Sequence, residues 1–157
     1  MKSYFLKLFR YDQWANQRVL LALKQQQVSH EKILSLLGHV AVAERLWLHR
    51  IKGLPKPDLK LWSHYTLDEL IEMFSALDME WIDYLTTNEN FDRGLSYTNY
   101  TGDPFTNNVE SIIIHTANHA TYHRAQVALL LRQNGYEPVN TDFITFDRVL
   151  LGQLKAD

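Results

Sequence analysis

Residues 107–138, NNVESIIIHTANHATYHRAQVALLLRQNGYEP, carry the signal from which the fold is read. Val109, Ile113, Thr116, Ala120, Val127 and Leu131 recur at helical spacing, so one face of a long helix is built to be buried. Both ends are marked. Asn107 can cap the start with Glu110 at the third helical position, and Asn134-Gly135 offers a left-handed stop ahead of Pro138. Three upstream segments repeat the pattern. The first covers about residues 3–26, with Phe5, Leu8, Phe9, Val19, Leu20 and Leu23 along one stripe. The second covers about residues 30–51, with Ser29 as its cap and Ile33, Leu36, Leu37, Val40, Trp47 and Ile51 facing inward. The third opens at a Thr66/Glu69 capping box and runs to about residue 85, and a short fifth helix is expected over residues 143–154.

Two connections are long, residues 52–66 and 86–107. The second holds GLSYTNYTGDPF, whose alternation around Gly102-Asp103-Pro104 predicts a small β-hairpin before the fourth long helix. Four amphipathic helices with such connections predict an all-α four-helix bundle, one domain over residues 1–157, that is not simply up-down-up-down.

Composition narrows the function. Sixteen Lys and Arg against eighteen Asp and Glu leave a net charge of −2, too little positive charge for a partner bound through phosphate neutralisation. The most basic stretch, residues 50–60, is broken by Gly53, Pro55 and Pro57 and reads as a solvated loop. Cysteine is absent, which removes disulfide scaffolds, thiolate zinc sites and cysteine nucleophiles. Lys7, Arg10 and Asp12 interrupt any signal-peptide core, and no apolar run is long enough for a bilayer span. The expectation is a soluble, cytoplasmic protein that acts on a small molecule.

Seven histidines is a high count, and His115, His119 and His123 fall at intervals of four on the fourth helix. Neighbours at that spacing can share a metal ion, whereas the outer pair lies about 12 Å apart along the axis. With about 100° per residue, His123 falls about 30° from the centre of the buried stripe, His119 about 70° and His115 about 110°. The inward pair is therefore His119 and His123. A third ligand should come from another helix, and His39 and Glu44 are the candidates on the second. Periodicity favours Glu44, about 20° from the centre of that stripe, over His39, about 120° away at its edge. Asp12 and Asn16, four residues apart inside the apolar stripe of the first helix, are either a satisfied network between helices or part of a polar pocket beside the ion, with Glu44. Arg124 can neutralise one of these carboxylates or hold a substrate anion.

Several segments together resemble the DinB-like (YfiT-like) family: YDQWAN at 11–16, GHVAVAERLWLHRI at 38–51, NHATYHRAQ at 118–126, LLRQNGYEP at 130–138 and TDF at 141–143. The resemblance spans essentially the whole chain. It implies an up-down-down-up bundle, a homodimer, and a divalent metal, zinc or nickel, on three histidines. Carried over residue by residue, the ligands are His39, His119 and His123, which displaces Glu44. Ala125 stands where glycine is more usual. The family's thiol-using transferases and isomerases imply an S-transferase with a low-molecular-weight thiol as cosubstrate, and Asp12, Asn16, Glu44 and Arg124 lining the site. Hydrolysis by bound hydroxide, with Glu44 or Asp12 as base, and a non-catalytic metal-binding bundle are the competing expectations. Ile114, Tyr122 and Leu129, turned away from the core stripe, agree with a dimer. Ferritin-like di-iron chemistry is disfavoured, because no Glu-x-x-His pair occurs in the chain, and the HExxH zinc-protease pattern is absent as well.

Overall fold

The computed structural model describes residues 1–99 and 101–155; Tyr100 of the hairpin segment and residues 156–157 at the end of the expected domain lie outside them. The elements are α1 (Lys2–Gln25), α2 (Glu31–Lys52), α3 (Leu67–Thr87), β1 (Gly94–Thr98), β2 (Pro104–Asn108), α4 (Val109–Gln133) and α5 (Phe143–Leu150). The four long helices pack in the ring order α1–α3–α2–α4.

Cross-helix pairs give their directions. Along α1, Lys2 meets Glu89, Phe9 meets Trp81 and Gln17 meets Asp78, so α3 runs opposite to α1. Asp12 bonds Arg124 and Gln26 bonds the Glu137 carbonyl, so α4 runs with α1. His39 meets His119 while Trp47 meets His115, so α2 runs against α4. The bundle is thus up-down-down-up. Parallel neighbours cannot be joined by a tight turn, which is why the α2–α3 connection is long and crosses the molecule.

The core is aromatic at its centre. Trp81, Phe5 and Phe74 are almost completely buried among leucines, Phe9 packs on Trp81 at 4.4 Å between centroids, and Phe91 closes one end edge-on to Phe5 at 5.2 Å. A second small cluster docks α5, with Phe146 against Tyr11 and Trp14 of α1. Among the described residues no helix is long and apolar enough to cross a membrane.

Some helix ends differ from expectation. The Thr66/Glu69 capping box is present in full, and Gly135, at φ +79°, turns the chain after α4 as expected. The start of α4 is held another way. Asn108, not Asn107, is the N-cap and its side chain makes no capping bond. Asn107 is retained in the hairpin, paired with Leu95, because β2 runs straight into the helix. The free N–H groups of Val109 and Glu110 donate instead to the carbonyls of Arg93 and Phe91, at 3.0 and 2.9 Å. His30, not Ser29, precedes α2 and also caps without a side-chain bond. Helix α5 stops at Leu150 rather than residue 154, since Gly152 at φ +68° takes the chain out of helical geometry. Thr66→Ala should therefore lower stability by about 1 kcal/mol, whereas Asn107→Ala and Asn108→Ala remove no cap bond. Urea unfolding of the three variants checks this contrast.

Candidate metal centre

His119 and His123 lie one turn apart on α4, and His39 reaches them from α2 across the seam between the two antiparallel helices. The Nε2 atoms of His39 and His123 each lie 3.1 Å from Nε2 of His119. The ligand atoms of all three lie within 4.8 Å of one another. A zinc–nitrogen bond of about 2.0–2.1 Å would place two nitrogens on one ion about 3 Å apart, so this spacing fits a shared cation.

The remaining ring nitrogens set the tautomers. His39 Nδ1 donates to the Leu61 carbonyl at 3.3 Å, and His123 Nδ1 donates to Gln126 Oε1 at 2.9 Å. Both rings then present bare Nε2 lone pairs to the same point. His119 can offer one proton at most to the two of them, so a cation satisfies what hydrogen bonding cannot. Burial holds the His119 ring down to about 4, with further lowering from the charges of His123, His39 and His115. His39 is lowered as well, first by burial and then by His123, against a raising contribution from the Leu61 carbonyl. Neutral imidazoles are the ligating form.

The connection between α2 and α3 completes the site. The Trp62 indole stacks flat on His39 at 3.9 Å with 7° between planes. Tyr65 presses so closely on Gly38 that a Cβ there would come within 2.6 Å of the ring. This connection buries His39 to 7% exposure although it lies off the apolar stripe of α2. Residues 36–44 of α2 are buried on every side, so the stripe could not rank the candidates, and against the periodicity preference for Glu44 it is His39 that the fold brings to His119 and His123. His115 is exposed, with its ring 5.6 Å from that of His119, outside the ligand set. Trp62 and Gln126 were not anticipated. Gln126 had a readable signal, three residues past His123 on one face, while Trp62 had none.

Glu44, Asp12, Asn16 and Arg124 meet elsewhere, between α1, α2 and α4, all at 3% exposure or less. Arg124 donates to Asp12 at 2.6 Å, to Asn16 at 2.8 Å and to Thr121 at 2.9 Å. Asn16 donates to Asp12 at 3.0 Å. Burial, then the charge of Asp12, raises the Glu44 carboxyl well above its usual range, so its acid form, hydrogen-bonded to Asp12, is favoured. Burial works against the charge on Arg124, but Asp12 and Tyr11 together outweigh it and the guanidinium is held protonated. Among the described residues no hydrogen bond or ion pair joins this cluster to the three histidines. Ala125 is exposed and touches neither group of residues in a hydrogen bond.

Two outcomes follow. Gln126→Leu frees His123 Nδ1 and should weaken zinc binding about 10–100-fold, measured by competition with a chelator. The second concerns Asp78, raised to about 7 chiefly by burial. Its folded value exceeds its ordinary one of 3.8, so folding takes up a proton across that window, and the cost of its charge is absent below it and complete above about 7. Asp78→Asn should accordingly stabilise the protein at pH 8 and leave it little changed at pH 3.5, as read by urea midpoints at both values.

Residues 1–150 match the family model described as the DinB family. The chain is 26% identical over 160 aligned positions to protein DinB of Bacillus subtilis (strain 168), an alignment covering 91% of this chain and 93% of that one. A four-helix bundle with a three-histidine cluster at one seam, matched along nearly its whole length, belongs to the DinB family.

Proposed function

We propose that this protein is a metal-dependent transferase in which His39, His119 and His123 hold a divalent ion, zinc or nickel, and which joins a low-molecular-weight thiol cosubstrate to a small electrophile. The observation that carries this reading is the donor set. Three uncharged imidazoles leave a divalent cation its full charge and open coordination positions, the pattern of catalytic rather than structural zinc. When bound, such an ion supplies Lewis acidity that lowers the pKa of a coordinated thiol or water.

The chain's own residues hold and shape the site. Leu61 and Gln126 orient two rings, and Trp62 shields one face of His39. His119 is only half-buried, and the exposed Trp62 and Tyr122 flank the ligands, so a small molecule has an approach from solvent. The chain has no cysteine, so the sulfur nucleophile comes with the cosubstrate. Asp12, Asn16, Glu44 and Arg124 serve as positioning residues that set the roll of α4 next to His123. Exposed Tyr122 and Leu129 support a homodimer, and the weak net charge supports a small-molecule role rather than nucleic-acid binding.

The test is metal analysis of untagged protein beside a His119→Ala, His123→Ala variant, followed by a screen of thiols against 1-chloro-2,4-dinitrobenzene and related electrophiles. About one divalent ion per chain, lost in the variant, together with turnover that needs both metal and thiol, is the expected result. Metal-dependent turnover of esters or amides with water alone would replace transfer by hydrolysis. An ion that raises the melting temperature but supports no turnover would make the site structural.

A further inference from the structure

Along the same α2–α4 seam, toward the hairpin, lies a cleft of about 220 Å³ lined by Trp47, Tyr97, Asn107, Ser111, Ile112 and His115. His115 is the wall it shares with the histidine cluster. Its ring lies 5.6 Å from that of His119 on one side and 5.7 Å from Trp47, edge-on, on the other.

The far wall is rigidly placed. Trp47 and Tyr97 meet edge to face at 5.0 Å and 84°. The Arg50 guanidinium lies over both rings, 4.5 Å from one and 4.8 Å from the other, and is anchored to the Thr98 carbonyl at 2.9 Å. Tyr97 also donates its hydroxyl proton to Asn107 Oδ1 at 2.8 Å. Two donors are left over: the Asn107 amide nitrogen and the Ser111 hydroxyl have no hydrogen-bond partner among the described residues. Among the described residues no carboxylate lines the cleft.

Resting on the metal-centre reading above, we propose that this cleft is the subsite for the organic substrate, and that it takes a single-ring aromatic compound bearing a carbonyl-type acceptor. The walls choose the class. Aromatic edges and faces favour a planar ring. The Asn107 amide and the Ser111 hydroxyl offer donors to an acceptor on the ligand. Arg50 already covers the Trp47 and Tyr97 faces where a cationic ligand would sit, and no acid is present to attract one. Size sets the limit, since an apolar cavity of about 150 Å³ accommodates benzene, and this one leaves room for a ring with one small substituent. The hairpin, which supplies Tyr97 and Asn107, then has a binding role in addition to sealing the start of α4.

The experiment uses the full chain loaded with cobalt(II) and benzamide as probe, with benzylamine and cyclohexanecarboxamide as controls. Cobalt uptake, followed by its visible absorption, tests the metal centre by itself. Paramagnetic relaxation of the probe protons then tests the subsite. Saturable enhancement for benzamide is expected, at least tenfold weaker binding in Trp47→Leu and Ser111→Val, and weak or no binding of the two controls. Ser111 is exposed, so its variant folds even where the Trp47 variant fails. Cobalt binding without benzamide enhancement, equal binding by both variants, or preference for benzylamine would overturn the subsite while leaving the metal centre standing. Benzamide binding that survives in both apo and zinc-loaded protein and is lost in Ser111→Val would support the subsite even where cobalt is not taken up.

Discussion

The buried ion pair between Arg124 and Asp12, at 2.6 Å, fixes the roll of α4, and the placement of the histidine cluster depends on that roll. Arg124 follows His123 directly, about 100° further round the helix. One residue is tied to α1 and the other points at the seam with α2. A rotation of α4 that freed Arg124 would carry His123 and His119 away from His39. Two desolvated charges contribute little net stability by themselves, but breaking such a pair leaves a buried charge uncompensated, at about 3–5 kcal/mol. The pair therefore acts less as a source of stability than as a constraint on which packing of α4 is tolerated.

Charge is kept separate from the histidine cluster by the same arrangement. Asp12 balances Arg124, and Glu44 is favoured as the acid, so the polar centre between α1, α2 and α4 carries no excess negative charge. Among the described residues the three histidines have no carboxylate in hydrogen-bond contact. Had Glu44 been a ligand, it would have neutralised part of a cation's charge and weakened its Lewis acidity. With imidazoles alone, the burial that lowers His39 and His119 also keeps them in the form that binds metal.

The helices and the inward pair His119–His123 were legible because both follow from a period of 3.6 residues, which every turn of α4 reinforces. The third histidine of the cluster was not. An angle from an apolar stripe measures burial only where one side of the helix meets solvent, and α2 is enclosed around Leu36–Glu44 by two helices and a loop. The resemblance to a known family supplied His39, and Trp62 explains in physical terms why an off-stripe residue is buried there. Asp12 and Asn16 stood out as polar residues on an apolar stripe, but only the folded chain shows that their partner is Arg124, more than a hundred residues away. The cap at Asn107 misled for a related reason. A capping residue satisfies a helix start only when no other acceptor arrives first, and the carbonyls of Phe91 and Arg93 do so at α4.

The up-down-down-up order also accounts for where the site lies. Parallel α2 and α3 require a connection that travels back along the bundle, and α3 reaches α4 only by crossing from one corner to the opposite one. Each crossing deposits aromatic side chains on the outer face of the α2–α4 seam, Trp62 from the first and Tyr97 from the second. The histidines are held by two straight helices, and their surroundings by two loops. A site held by helices and walled by loops can have its surroundings altered by changing residues that carry no part of the bundle core. In this chain those residues are Trp62, Tyr97 and Asn107. Their side chains lie beside the cluster or its adjoining cleft, and none belongs to the buried core that holds the four helices together.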